Sequence, residues 1–323
     1  MPEEKKDKSQ AIQINSTQVL PGEYALVKLN IGRLPTGTLI DIPVHVFNGK
    51  KKGPVVLIQA GLHGDEINGV ETLRRMLDEN LFQIKRGAVI VVPVLNIFGF
   101  IHFSRDVPDG KDVNRSFPGS KTGSLASRIA YHYTQEILPH VDFALDLHTG
   151  GAQRHNYPQV RYTLNDRESK TLAEAFRAPF CLPSKLINGS FRKATFRLGV
   201  PTIVYEAGES MRFDEMAITL AIKGILNVLR SQKMLIAPNK MKKSTSVHLA
   251  SSRWIRASRA GMFIPLIKNG EQVQKGKELG YISDAYAKRT KFVKAPFEGY
   301  VFCINHQAVV NQGDALFHLG KQV

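Results

Sequence analysis

In the stretch "IQAGLHGDEINGVETLRRML" (58–77), an imidazole and a carboxylate stand three residues apart where an apolar run ends. His63 and Glu66 sit among glycines, which are expected to leave room for an ion and a substrate. An isolated His-x-x-Glu is weak evidence, because a helix cap beside a chance histidine accounts for it. A second imidazole, His148, closes the apolar run "VDFALDLH" (141–148), and a carboxylate, Glu206, closes "TIVYE" (202–206). In open α/β sheets, sites gather beyond the carboxyl ends of the strands, so these distant residues can converge. Two imidazoles and one carboxylate make a catalytic zinc set that leaves a fourth position for water. Asp146, two residues before His148, points to the same side of its strand and can orient a ligand. Glu206 can pass a proton from water to a leaving nitrogen, although a strand-end carboxylate in an ion pair is the simpler alternative. Glu209 competes for that role but lies past the turn expected at Gly208. Arg105 in "FSRD", and Asn114 and Arg115 in "DVNRSFPG", could grip an oxyanion, though loop arginines are usually solvated. His102, His132, His140 and His155 lack a strand-end setting and read as structural or surface residues.

These side chains need a scaffold. "EYALVKLNIGRLPTGTLIDIPVHVFNG" shows two alternating runs about a Gly/Pro turn, the pattern of an antiparallel hairpin. "GPVVLIQA" (53–60), "AVIVVPVLN" (88–96), "VDFALDLH" and "TIVYEAG" (202–208) read as buried strands. Helical stretches at 67–79, 124–138, 167–177 and 213–233 alternate with them, the first with Val70, Leu73 and Leu77 on one face. The alternation predicts an α/β fold with a mixed, largely parallel sheet and flanking helices. A polar, Gly/Pro-rich loop running to about residue 122 is long enough to be functional. The composition changes near 232–250, after which short strands and glycine turns in two similar halves predict a small C-terminal all-β domain. The expected division is a disordered tail at 1–18, a catalytic domain at 19–238 and the β domain at 245–323.

A chain of 323 residues has room for one large and one small domain, and 43% hydrophobic with 22% charged residues is ordinary for a soluble globular protein. No apolar run approaches the ~20 residues of a membrane span. The N-terminal "MPEEKKDKSQ" lacks the apolar core of a secretory signal. Cys181 and Cys303 are far apart and show no CxxC spacing, which fits a reducing cytoplasm. The net charge of +16 could serve nucleic acid, but "GKKKG" (49–53) and "NKMKKS" (239–244) lack interleaved aromatics and any nucleic-acid motif. The expected partner is therefore an anionic small molecule drawn to a basic surface, with no nucleic acid and no membrane; homo-oligomer formation is left open.

"GLHGDE", followed by "SRD", "DVNRSF", "DLHTG" and "GVPTIVYEAGE", resembles the succinylglutamate desuccinylase/aspartoacylase family of the zinc-carboxypeptidase superfamily, over about 55–230. The C-terminal β segment also looks like one found in these deacylases. The resemblance implies a zinc-carboxypeptidase-like fold and one Zn2+ per chain, held by His63, Glu66 and His148. It implies that Arg105 polarises the scissile carbonyl, that Asn114 and Arg115 hold a substrate carboxylate, and that Glu206 is general base and acid. Arg192 and Arg197 in "SFRKATFRLGVP", and Tyr157 in "RHNYPQVRY", are further pocket candidates. The implied activity is hydrolysis of the amide of an N-acyl amino acid or related small carboxylate by zinc-activated water. A metallocarboxypeptidase or amidase acting on a short peptide or conjugate would use the same chemistry. A non-catalytic anion-binding protein would be expected to lack a ligand or the base, and none is missing. "GEQVQKGKELGYI" with "KAPFEGYV" is similar to the biotinyl/lipoyl barrel sandwich, but "SDAYAKRTKF" around Lys288 departs from the carrier hairpin. That segment is expected to shape or gate the cleft.

Overall fold

The structure, a computed structural model, describes residues 11–34, 36–236 and 246–323. The first ten residues of the expected tail, and the junction between the units expected to end at 238 and to begin at 245, lie outside the described residues. Residues from 11 onward depart from the tail expectation. β1 (Ile12–Ile14) and β2 (Thr17–Val19) pair as a hairpin and bury Ile12, Ile14 and Val19 in the core. Three-residue strands are too short to leave a periodic signal.

β3 (Tyr24–Arg33) and β4 (Leu39–Asn48) form the expected antiparallel hairpin. β5 (Lys51–Gln59) leads through the His63 turn into α1 (Ile67–Asp78), then β6 (Arg86–Val92), the short α2 (Ile97–Ile101) and α3 (Leu125–Glu136). β7 (Phe143–Gly150), β8 (Arg154–Thr163), α4 (Arg167–Phe176), β9 (Phe180–Ser184), α5 (Phe191–Arg197), β10 (Thr202–Glu209) and α6 (Glu215–Ser231) complete this part. β10, β7, β5 and β6 are mutually parallel, while β4 joins β6, and β8 joins β10, in antiparallel fashion. The sheet is thus mixed. Its strands alternate between two cores: Leu57, Ala88, Ile90 and Val92 face one side, and Val56, Ile58, Val89 and Val91 the other. α3 and α5 cover the first side; α1, α4 and α6 cover the second. No helix among the described residues is long and apolar enough to cross a membrane.

The C-terminal strands are β11 (Val247–Arg256), β12 (Gly261–Pro265), β13 (Gln272–Val273), β14 (Glu278–Ser283), β15 (Thr290–Lys294), β16 (Gly299–Asn305), β17 (Val309–Val310) and β18 (Ala315–Gln322). β12, β14, β15 and β17 form a four-stranded sheet that shares an apolar core of Phe263, Leu279 and Ile282 with Val301, Phe317 and Leu319 of β16 and β18. The segment is joined to the α/β part by strand pairing. β11 pairs with β9, and β16 pairs with β8, so one 12-stranded sheet runs through both. The pairing closes a ring through β8, β9, β11, β18 and β16.

Candidate active site

Glu66 stands at the N-cap position of α1, yet its side chain makes no capping bond. It turns away from the helix instead. Oε1 lies 2.8 Å from His63 Nδ1, and Oε2 lies 2.7 Å from His148 Nδ1 and accepts from Thr149 N–H at 3.1 Å. This geometry decides against the helix-cap reading of His-x-x-Glu. All three side chains are buried, with ligand atoms within 4.8 Å of one another, the one such group among the described residues. Burial opposes charge on Glu66, but the two imidazoles outweigh it and hold the carboxyl well below the usual range. Burial likewise opposes charge on His148, and Asp146 and Glu66 outweigh that, raising the imidazole well above its ordinary value. The cluster is built to stabilise positive charge at its centre, and its donor types fit a zinc ion.

Sheet pleating explains the neighbours. Asp146 and His148 are two apart on β7 and share a face, and Asp146 Oδ2 lies 2.9 Å from His148 Nε2. Its other oxygen accepts from Gln59 Nε2 at 2.9 Å, and Tyr133 donates to Gln59 Oε1 at 2.7 Å. Glu206 on β10 is in register with His148 across a parallel pair, which puts both side chains on the same side. Its oxygens are held by Arg161 Nη1 at 3.2 Å and by Asn156 Nδ2 at 2.8 Å, both from β8. Glu209 is buried and lies 2.8 Å from His306 Nδ1, outside the group of His63, Glu66 and His148.

The loop after α2 brings its cations to the same place through Asp112. This aspartate accepts from Arg105 Nη2 at 2.9 Å and Nε at 3.2 Å, and from the Asn114 backbone at 2.7 Å. Burial works against its charge, but His63 and Arg105 hold its carboxyl well below the usual value. Asp112 Oδ1 is also 3.4 Å from His63 Nε2, near enough for attraction without an aligned hydrogen bond. So tethered, Arg105 places Nη1 3.2 Å from His63 Nδ1 and 3.5 Å from Glu66 Oε1. The Asn114 side-chain carbonyl accepts from Phe191 N–H at 2.9 Å, and Asn114 lines the cavity together with the half-exposed Arg115.

One cavity of about 250 Å³ unites all seven candidates, namely His63, Glu66, Arg105, Asn114, Arg115, His148 and Glu206. Arg192 joins them, with its Nη2 on Ser184 Oγ and Lys185 O and its Nη1 buried without a partner. Burial and then Arg161 push its guanidinium down to about 10. Arg197 faces a different surface hollow, and Tyr157 packs on Phe180 in a small apolar cluster with Leu182, Leu249 and Phe302, so neither lines the cavity. Sequence reasoning missed Asp112, Arg154, Asn156, Arg161, Trp254 and Cys303. Burial pushes the thiol of the last up to about 12. The glycines near His63 also serve otherwise than expected: a Cβ on Gly64 would stand 1.9 Å from the Gly99 backbone, so that glycine admits α2 rather than an ion. Gly151 is the glycine that faces the cluster, with Arg105 Nη1 and Glu66 Oε1 near its missing Cβ.

Comparison with known proteins agrees with this geometry. Residues 52–232 match the family model described as the succinylglutamate desuccinylase/aspartoacylase catalytic domain. The chain is 27% identical, over 88% of its length and 86% of the relative, to an N-alpha-acetyl-L-2,4-diaminobutyric acid deacetylase of Halomonas elongata. A succinylglutamate desuccinylase/aspartoacylase from Rhodobacter sphaeroides superposes with a TM-score of 0.81 at 25% identity, covering 93% of this chain and 96% of that one. The product-bound ectoine utilization protein EutE (DoeB) of Ruegeria pomeroyi shares the fold, with a TM-score of 0.83, 23% identity and coverage of 97% and 100%. With more than half of its length matched by the catalytic-domain model, the chain belongs to the succinylglutamate desuccinylase/aspartoacylase family.

Proposed function

We propose that this protein is a zinc-dependent deacylase, with one ion per chain, that hydrolyses the amide of a small N-acyl amino acid or related carboxylate. The observation that carries this reading is the convergence of the buried His63, Glu66 and His148 cluster, Glu206 and five arginines on one cavity. The acyl-amide substrate of the Halomonas elongata relative supports the reaction class. The cavity, at about 250 Å³, suits a small molecule better than a peptide.

When bound by His63, Glu66 and His148, zinc supplies Lewis acidity and brings the pKa of coordinated water to about 7. Glu206 takes a proton from the attacking water and later gives it to the leaving nitrogen. Arg161 and Asn156 hold one oxygen of Glu206 each and so fix its orientation. Arg105 Nη1 meets the negative charge that develops on the carbonyl oxygen, and Asp112 keeps it from swinging away. The Asn114 amide and the Arg115 fork hold the substrate carboxylate and fix its distance from the reacting carbon. Asp146 orients His148. We further read 19–238 as the catalytic unit and 245–323 as a barrel-sandwich-like unit that closes the cleft.

The test is a hydrolysis screen of metal-loaded protein against N-acyl amino acids with short peptides alongside, together with metal analysis. Activity confined to peptides would overturn the small-molecule reading. Absence of stoichiometric metal, with an unchanged rate in Glu206→Gln, would overturn the hydrolase reading itself.

A further inference from the structure

Glu206 is held from one strand by two residues that a regular strand would not put on one face. Arg161 Nη1 and Asn156 Nδ2 both reach it from β8. Successive side chains of a strand alternate, and 156 and 161 differ by an odd number, so a regular β8 would point these two to opposite sides of the sheet. The pairing with β10 brings them together. Val204 faces Arg161, Glu206 faces Gln159, and Gly208 faces Asn156. The advance from 206 to 208 on β10 is matched by 159 to 156 on β8, which carries one residue more. That extra residue, at Tyr157–Pro158, makes a β-bulge and reverses the parity of the strand. Pro158, with no N–H to give to a ladder, suits the place. On its other edge β8 changes neighbour here: β9 pairs with it from Gln159 onward and β16 with Arg154 to Asn156, so neither pairs across the bulge.

A turn of the C-terminal segment, "KNGE" (268–271), supports the bulge. Asn269 Nδ2 donates to His155 O at 2.8 Å and to His155 Nδ1 at 2.9 Å. Nδ1 is therefore an acceptor, the imidazole proton lies on Nε2, and Nε2 donates at 2.9 Å to Asp214 Oδ2 at the N-cap of α6. His155 is thus held between α6 and the turn, with the His306 ring stacked on it at 5.5 Å. Gly270 lies against the Tyr157 ring. A Cβ there would stand 2.6 Å from Tyr157 Cε2, and the φ of +90° favours glycine. The Gly270 N–H donates to Val301 O at 2.7 Å, which ties the turn to β16. Asn156 lies between the two contacts, and its side chain lines the cavity. Asn269 and Gly270 do not line it.

We propose that the turn at 268–271 positions the catalytic base: by seating the bulge in β8, Asn269 and Gly270 keep Asn156 and Arg161 together on the face of Glu206. Both are positioning residues that act through Asn156. The C-terminal segment thereby supports the chemistry from behind the strand, besides supplying part of the cavity wall. The kinetic consequence rests on the deacylase reading, and the structural one does not.

Asn269→Ala removes both bonds to His155. With the best N-acyl amino acid of the screen, kcat is expected to fall about tenfold while KM changes by less than about twofold, because a base that loses its orientation costs rate and leaves substrate binding alone. Zinc stoichiometry stays intact, since His63, Glu66 and His148 lie outside β8. Asn269→Ser, which retains one donor, gives a smaller fall and carries the test should the alanine variant fold poorly. In an Asn156→Ala background, already without the amide that holds Glu206, the same substitution lowers kcat by less than about twofold, because contacts that act in series are not additive. An equal fall in both backgrounds would show that the turn does not act through Asn156, and would overturn the proposal. A crystal structure of Asn269→Ala supplies a reading without turnover. Asn156 Nδ2, 2.8 Å from Glu206 Oε2 in the wild type, is expected out of hydrogen-bond reach, and an unchanged contact would overturn the proposal as well. Should the wild type hydrolyse no amide while the contact breaks in the variant, the deacylase reading fails and the support of Glu206 by the turn stands.

Discussion

Replacing Asp146 with asparagine probes how the sheet tunes its ligand. Both oxygens of Asp146 accept hydrogen bonds, one facing His148 Nε2 and the other Gln59 Nε2, each at 2.9 Å. Asparagine offers a single acceptor oxygen. If it keeps His148, its NH2 group opposes the Gln59 amide. If Gln59 then flips, the Tyr133 hydroxyl proton loses its acceptor. One buried donor is stranded in either arrangement, at a cost of about 1–3 kcal/mol to the fold. The negative charge that makes His148 a stronger ligand is also gone. Loss of such an orienting carboxylate typically weakens metal binding by about 10–100-fold, or about 1.4–2.7 kcal/mol. The assay is competition for zinc between the purified variant and a chromophoric chelator at fixed neutral pH, with circular dichroism to verify folding. A dissociation constant within twofold of wild type in a folded Asp146→Asn protein would refute the argument that Asp146 tunes the ligand.

Glu206→Gln is expected to keep full zinc stoichiometry while kcat falls by about 10²–10⁴-fold, since in the proposed mechanism Glu206 transfers protons and is not a ligand; metal loss on this substitution would contradict that division. His318, pushed down to about 3 by burial and Arg161, makes stability depend on pH. The unfolded chain takes up a proton near pH 6.5 that the folded chain refuses, so stability is full above about 6.5 and declines by about 1.4 kcal/mol per pH unit from there to about 3. His318→Phe removes that increment from the dependence of the urea midpoint on pH, and an unchanged slope would rule it out. Gly64→Ala drives a Cβ into the Gly99 backbone at 1.9 Å and should displace α2 or unfold the protein. A variant of wild-type melting temperature and zinc affinity would show that the approach of α2 is slack.

The parts of the site that were legible in the sequence are those that the pleat of apolar strands controls. Asp146, His148 and Glu206 sit at the ends of near-continuous apolar runs, so their side of the sheet follows from counting by two. β8 escaped because its alternation is polar. Arg154, Asn156 and Arg161 interrupt it, and Pro158 lies within, so "RHNYPQVRY" shows no apolar strand pattern. Its strand character comes from partners that local pattern does not name: β10 on one side, and β16, nearly 150 residues onward, across Asn156 and Cys303. Trp254 and Cys303 were hidden for the same reason, since a register between distant strands is a tertiary fact. Asp112 was overlooked for another. Only the atoms it binds, on Arg105, Asn114 and His63, give it a role that its position before "VNR" does not.

The site has two halves that are placed by different means. His148, Asp146, Glu206, Asn156 and Arg161 are set by strand register, with backbones fixed by ladders on both sides. Arg105, Asn114 and Arg115 come from a long loop and depend on Asp112 and on the Phe191 backbone for their placement. Asp146, His148 and Glu206 are thus placed by the sheet, His63 and Glu66 by the turn that leads into α1, and Arg105, Asn114 and Arg115 by the contacts of the loop. Arg154 belongs to neither half. It lies on a strand, but its position depends on Trp254, which the C-terminal segment supplies. In this arrangement the ring of strands through β8 and β16 does more than join two cores. It brings Trp254 and Cys303 of the C-terminal segment into the wall of the cavity that His63, Glu66, His148 and Glu206 also line.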